Sequence, residues 1–253
     1  MVKVVSVHSF RGGTGKSNTT ANLAASVARQ GKRVGIVDTD IQSPGIHVLF
    51  GFDESRMDLA LNDYLWGRCS VEEAAYDVSH VLEGAGTSQS AIYLIPSSLK
   101  AGEIARVLRE GYDVGLLNDG FQGLIQQLNL DYLFIDTHPG LNEETLLSIT
   151  ISDVLLLIMR PDRQDFQGTA VTVDIARRLE VPKMLLLVNK ALSSFDFDAL
   201  KSEVEATYNA PVAAILPLTE EMIQLGSSDI FSLRFPEHPL TQIYIGIANL
   251  LLS

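Results

Sequence analysis

The sequence predicts an α/β fold: a doubly wound, mostly parallel sheet flanked by helices, forming one domain over 1–253. Three observations predict it. Short runs of residues are nearly continuous in apolar side chains, as strands covered on both faces by helices must be. Segments with helical spacing of apolar residues alternate with those runs. The first run passes into a glycine-rich loop and then into a helical pattern, the opening of a βαβ unit.

Residues 2–8 (VKVVSVH) are β-branched and read as the first strand, with the loop 9–17 behind it. Residues 18–30 carry Ala, Leu and Val at helical spacing, and Gly31 follows as a helix-ending glycine. Residues 33–38 (RVGIVD) are the second strand. The rhythm repeats in strand runs at 92–96 (IYLIP), 132–136 (YLFID), 153–159 (DVLLLIM), 184–189 (MLLLVN) and 212–216 (VAAIL). Helical patterns lie at 101–108, 120–128, 142–151, 167–179 and 198–208. The segment 52–90 is the least regular, with helix-like pieces at 59–65 and 71–78 and a Gly/Ser/Thr-rich stretch at 84–90. It is expected to be an insertion on the sheet rather than a separate domain. The last segment, 239–253, is apolar without Lys or Arg, so it reads as a core-packing helix and not as a basic amphipathic membrane tail.

Composition narrows the classes of function. With 46% hydrophobic and 20% charged residues, the chain can build a sizeable core and is neither fibrous nor disordered. A net charge of -12 makes the average surface repel nucleic acid and anionic lipid. The cations Arg177, Arg178, Lys183, Lys190 and Lys201 are too few to favour DNA binding, which stays possible through a local patch. Cys69 is the single cysteine, so one chain offers no disulfide framework, no cysteine zinc site and no cluster ligation beyond one ligand per subunit of a dimer. Its expected role is small apolar filler. No run reaches the roughly 18 apolar residues of a spanning helix, and the N-terminus lacks a signal-peptide pattern. A cytoplasmic location is the expectation.

The loop Phe10-Arg11-Gly12-Gly13-Thr14-Gly15-Lys16-Ser17 ends in Gly-Lys-Ser between a strand and a helix, as a Walker A phosphate loop does. Glycines let consecutive backbone N–H groups converge on phosphate oxygens, and the helix adds its positive end. The cradle is thus Gly12, Gly13, Thr14, Gly15, Lys16, Ser17 and Asn18. Lys16 is expected to neutralise the outer phosphates and Ser17 to ligate magnesium. Phe10 stands where the general pattern has its first glycine.

The loop resembles that of the MinD/ParA family, a deviant Walker A of the form Lys-Gly-Gly-x-Gly-Lys-Ser/Thr, and the later motifs follow in the family's order over nearly the whole chain. The resemblance implies an ATP- and Mg2+-dependent ATPase that dimerises around two sandwiched nucleotides, with the first loop cation reaching the partner's phosphates. Here that cation is Arg11, whose planar fork replaces a lysine point charge. The alternative is an exposed Arg that only keeps the loop soluble.

By the same resemblance, Asp40 of Asp38-Thr39-Asp40 orients the attacking water and Asp38 supports magnesium and the loop lysine; alternatively, Asp40 is a turn former. Residues 41–45 look like a switch segment. Asp136-Thr137-His138-Pro139-Gly140 matches the second switch, with Asp136 holding magnesium through a water and Gly140 meeting the γ-phosphate by its backbone. His138 is expected to be a bystander. Asn189 is expected to bond adenine, with Pro217 closing the base pocket; Asn-Lys at a strand end is also an ordinary turn. ATP is favoured over GTP because the Asn-Lys-x-Asp signature is incomplete: Leu192 takes the acid's place and Ser193 is nearest. Arg160 is expected to pair structurally with a nearby Asp.

The reading is therefore an ATP-binding and hydrolysing dimerisation switch with an unidentified cargo or activating protein. The alternatives are an ATP-dependent metabolic enzyme of the same fold, of the amidoligase or dethiobiotin-synthase type, and a non-hydrolysing nucleotide-binding scaffold.

Overall fold

In the computed structural model, which describes residues 2–252, each predicted apolar run becomes a strand and helices cross between them. The elements in order are β1 (Lys3–His8), α1 (Lys16–Ala28), β2 (Arg33–Asp38), α2 (Leu61–Leu65), β3 (Tyr76–Asp77), β4 (Ala91–Ile95), α3 (Ala101–Glu110), α4 (Gly115–Gln127) and β5 (Tyr132–Asp136). The second half adds α5 (Glu143–Thr150), β6 (Val154–Met159), α6 (Arg163–Arg178), β7 (Lys183–Ala191), α7 (Phe197–Tyr208), β8 (Val212–Pro217), α8 (Glu220–Leu225), α9 (Phe231–Arg234) and α10 (Pro239–Leu252). They form one sheet in the order β3-β4-β2-β5-β1-β6-β7-β8. All neighbours run parallel except β3, which pairs antiparallel with β4.

The period of two along each strand splits the core between the faces. Val5, Val7, Ile36, Phe134, Leu156 and Leu187 turn to one face, where α1 and α10 cover them. Val4, Val37, Leu133 and Ile135 turn to the other, under α2 and α4. Leu155, Leu157, Leu186 and Val188 continue that face beneath α6 and α7. The helix α10 buries Leu240, Tyr244, Ile247, Ala248 and Leu251, so the apolar C-terminal segment packs in the core as its composition predicts. Ser253, the end of the predicted segment, lies outside the described residues. Among those residues no helix is long and apolar enough to cross a membrane.

One predicted element is wrong. Residues 71–78 are helical only in the 3-10 helix Glu72–Ala74, and the rest holds the edge strand β3. The Glu-Glu-Ala residues keep a helical turn, and tertiary pairing takes Tyr76 and Asp77 into the sheet. Tyr76 and Asp77 register against Leu94 and Tyr93 of β4, and the Tyr76 hydroxyl accepts from Leu59 N and donates to Leu59 O. The segment 52–90 thus adds a strand to the sheet. Two helix starts also fall a full turn or more earlier than their patterns. Asp162 caps α6 through Gln164 N and Asp165 N, moving its start to Arg163, and α4 begins at Gly115.

Register decides where chemistry gathers. Val7 and Asp38 both align with Asp136, so β1, β2 and β5 end level with one another at the carboxyl edge. The strand β1 lies between β5 and β6, where the winding reverses, which opens a crevice above that edge.

Candidate functional site

The loop after β1 turns on two left-handed residues, Gly13 (φ 74°) and Gly15 (φ 95°). Gly15 has a second reason to lack a side chain, since a Cβ there would stand 2.5 Å from Asn189 Nδ2. Phe10 has no positive φ, so the first-glycine position of the general motif needs no glycine here. Its ring instead lies against Gly168 of α6, where a Cβ would be 2.1 Å from Phe10 Cδ1. Helix α1 has Gly15 as its cap, with no side-chain cap bond and no acid in its first turn. Its first amides are therefore left for an anion. Lys16 is buried at 7% exposure and forms no ion pair among the described residues. A buried, unpaired ammonium beside free helix amides fits a phosphate group.

A cavity of about 270 Å³ lies over this loop, lined by Gly12, Gly13, Gly15, Lys16, Ser17, Asn18, Asp40, Ser43, His138 and Pro139. Most of the predicted cradle and Asp40 thus share one space. Thr14 is buried with its hydroxyl unpartnered, and its carbonyl accepts from Asn189. Asp38, Asp136 and Gly140 are not among the lining residues.

Each of those three is committed elsewhere. The Asp38 carboxylate accepts from Asp40 N (3.0 Å) and Gly45 N (3.2 Å), so it fixes the base of the predicted switch segment. Burial pushes its pKa well up, and repulsion from Asp136 and Asp40 adds to that. Asp136 is buried beneath the loop, where burial pushes its carboxyl up to about 6 against hydrogen bonds from Ser17 and Thr20 and the charge of Lys16. Gly140 N donates to Ser9 O at 3.2 Å, so its amide is turned to the phosphate loop's own backbone.

Asp40 is half-buried, and burial raises its carboxyl while His138 and Lys16 pull it back down. His138 Nε2 lies 3.9 Å from Asp40 Oδ1. The motif gave no reason to expect that neighbour, because only the third dimension brings the ends of β2 and β5 together. His8 is a second unforeseen group. It is fully buried, and desolvation, Lys16 and His138 lower its pKa to about 3. The Thr137 hydroxyl donates to Val7 O and so accepts from His8 Nδ1 at 2.7 Å, which leaves the His8 Nε2 as a buried acceptor without a partner. Thr20 was also missed, although a Thr one turn after Lys16 is its own signal: the hydroxyl bonds Lys16 O and Asp136 Oδ1.

A second cavity, about 280 Å³, adjoins the loop and is lined by Gly15, Asn18, Asn189, Pro217, Met222 and Tyr244 among others. Asn189 and Pro217 therefore meet in one space with the end of the phosphate loop. Asn189 Nδ2 donates to Thr14 O at 2.8 Å, and Lys190 Nζ donates to Gly13 O at 2.8 Å.

Arg11 lines neither cavity. Its guanidinium donates to Gln164 Oε1 and lies 3.6 Å from Asp165 and 3.9 Å from Asp162, at the start of α6. Asp165 also holds Arg160 through two guanidinium bonds, which is the structural pair expected there.

Comparison with known proteins agrees with this geometry. A family profile described as an AAA domain (AAA_31) matches residues 2–184. The chain is 24% identical over 254 residues to an uncharacterized ATP-binding protein of Methanocaldococcus jannaschii, covering 100% of this chain and 89% of that protein. It is 26% identical over 260 residues to an iron-sulfur cluster carrier protein of Pseudomonas fragi, covering 97% of this chain and 83% of that one. The septum site-determining protein MinD of Pyrococcus horikoshii, solved with Mg-ADP, superposes with a TM-score of 0.79 at 21% identity over 99% of this chain and 96% of that chain. A ParA family ATPase from Chlorobium tepidum superposes with a TM-score of 0.78 at 18% identity, over 98% of this chain and 99% of that chain.

Proposed function

The chain belongs to the AAA_31 family of AAA domains and has the fold of the MinD/ParA P-loop ATPases; from that premise we propose that it is an ATP-hydrolysing dimerisation switch. In this reading residues 1–253 act as one ATPase domain in the cytoplasm, and a partner protein stimulates a slow basal turnover. The observation that carries it is the shared cavity: the unpaired Lys16, the loop glycines and Asp40 converge on one space.

ATP would lie with its phosphates along Gly12 to Asn18 and its base against Asn189 and Pro217. Magnesium fits the donors present, because the Ser17 hydroxyl is backed by a buried Asp136 carboxyl that no full ion pair satisfies among the described residues. When bound, the ion neutralises charge on the outer phosphates. Asp40 orients the attacking water and takes up its proton's hydrogen bond. Asp38 acts on Asp40 by holding the backbone of both Asp40 and Gly45, so its contribution to the metal is through the switch segment. On γ-phosphate binding, Gly140 N exchanges Ser9 O for a phosphate oxygen. Arg11 leaves α6 and contacts the partner subunit's nucleotide in trans, and the symmetric form is a two-fold dimer.

An iron–sulfur carrier role, suggested by the name of the Pseudomonas fragi relative, has little support here. Cys69 is the chain's single cysteine, and burial pushes its thiol up, away from the thiolate that binds metal.

The test is sizing chromatography with light scattering in ADP and in a non-hydrolysable ATP analogue, together with phosphate release. ATP-dependent dimers with measurable release are expected. A constitutive oligomer indifferent to ATP would instead favour a metabolic enzyme of this fold.

A further inference from the structure

We propose that Asn189 and Lys190 form a bracket that transmits the state of the base cavity to the phosphate loop, and that Lys190 is a positioning residue for hydrolysis. The inference rests on the ATP reading above and deepens it.

The bracket begins as a defect in the sheet. Pairing between β7 and β8 shifts register between Val188 and Ala191, so Asn189 and Lys190 together stand opposite one residue of β8, Leu216. Such bulges re-aim side chains beside functional sites. Lys190 pays for its place with a φ of 59°, a left-handed conformation that a long side chain adopts only at a cost. Glycine or asparagine would form the same turn without strain, so the turn alone does not explain a lysine.

The contacts do. Lys190 Nζ donates to Gly13 O and Asn189 Nδ2 donates to Thr14 O, each at 2.8 Å, while the Asn189 carboxamide oxygen accepts from Lys190 N at 2.8 Å. Two successive loop carbonyls are thus gripped by two successive residues. In a trans peptide the C=O of one residue and the N–H of the next point opposite ways. Holding the carbonyls of Gly13 and Thr14 therefore turns the amides of Thr14 and Gly15 to the other side of the loop. Those are amides that a phosphate cradle needs aimed and fixed. Asn189 and Lys190 also line the base cavity, alongside Gly15 and Asn18. A base amino group that engages the Asn189 carboxamide acts on the same residue that holds Thr14.

The experiment is steady-state ATP hydrolysis and thermal melting of the full chain as parent, Lys190→Met, Lys190→Arg, Lys190→Gly, Asn189→Ala and Asn189→Ala/Lys190→Met. Lys190→Met and Lys190→Gly are expected to lower kcat about tenfold, the effect of one charge-assisted hydrogen bond, with KM changed much less. Lys190→Arg should recover part of the loss. Lys190→Gly relieves the backbone, so its melting temperature should equal or exceed the parent's while kcat still falls. The double variant should be no slower than the slower single variant, because a bracket acts as a unit. Unchanged kcat in Lys190→Met and Lys190→Gly, additive losses in the double variant, or a fall in melting temperature that tracks kcat in every variant would each overturn the bracket. A parent that neither binds nor hydrolyses ATP would overturn the ATP reading itself, a result separate from any variant.

Discussion

Gly168→Ala puts the packing of the phosphate loop to a test of sign. Gly168 lies in the interior of α6, where Ala is ordinarily favoured over Gly by about 1 kcal/mol. A Cβ at this position would stand 2.1 Å from Phe10 Cδ1, 2.5 Å from Cγ and 2.9 Å from Cε1. The ring must therefore retreat by about 1.5 Å to reach ordinary contact. Overpacking of that kind costs about 1–3 kcal/mol, so against the helical gain it leaves a net loss of up to about 2 kcal/mol. Phe10 is joined to Ser9, whose hydroxyl bonds Arg11 O and whose carbonyl holds Gly140, so the displacement passes into the loop and ATP affinity falls with stability. Gly246→Ala in α10 is the control, because nothing beyond the local helix backbone lies within 4 Å of its Cβ and the exchange should stabilise by about 0.5–1 kcal/mol. Urea unfolding at constant m-value reads both, and fluorescent-nucleotide titration reads affinity. If Gly168→Ala gained the same increment as Gly246→Ala, the contact between Phe10 and α6 would not exist as described.

Further predictions concern the charged groups. Arg11→Ala should abolish ATP-dependent dimerisation and stimulated turnover while changing stability by no more than about 1 kcal/mol, since its guanidinium is exposed and the buried Asp165 keeps the Arg160 fork; chromatography in ATP analogue checks it, and an intact dimer would refute the trans role. Asp40→Ala should retain ATP binding and lose about a hundredfold or more in phosphate release, a measurement that fails the proposal if turnover persists. His8 titrates at 6.5 in the unfolded chain and at about 3 in the folded one, so between those values the unfolded state carries the extra proton and stability falls as pH drops, by up to about 1.4 kcal/mol per unit. Asp136, raised to about 6, takes its proton first in the folded state and contributes the opposite slope below that pH. The two offset one another in the parent. His8→Asn should therefore unmask a stability that rises as pH falls from about 6 towards 4, and urea midpoints across that range would show it.

Strand and site legibility in the sequence had one cause. Strands buried on both faces must be apolar throughout, and their runs mark both the sheet and its carboxyl edge, where Ser17, Asp38, Asp40, Asp136 and Asn189 all fall. Contacts made by residues distant in sequence left no such mark. Arg11 and Gln164, His138 and Asp40, Lys190 and Gly13 meet only because β1, β2, β5, β6 and β7 end together. The edge strand β3 was illegible for a related reason. Its two residues are too few for a periodic signal, and their pairing with β4 is a tertiary choice.

The position of Arg11 bears on how such a switch can be reversible. Its contacts to Gln164, Asp162 and Asp165 are exposed at the guanidinium, so leaving them costs on the order of 1 kcal/mol. Asp165, the buried member, keeps the Arg160 fork and is not left as a bare charge when Arg11 departs. In the proposed dimer, a triphosphate on the partner subunit would offer a guanidinium a stronger set of acceptors. The cis site thus suits a resting place: it orders Arg11 beside the loop, it costs little to vacate, and it stands complete to receive the side chain again once the γ-phosphate is gone. A lysine in the same place could not hold Gln164 and Asp165 with a planar fork, which gives the departure from the family's lysine a physical reason on the monomer as well as in the proposed dimer.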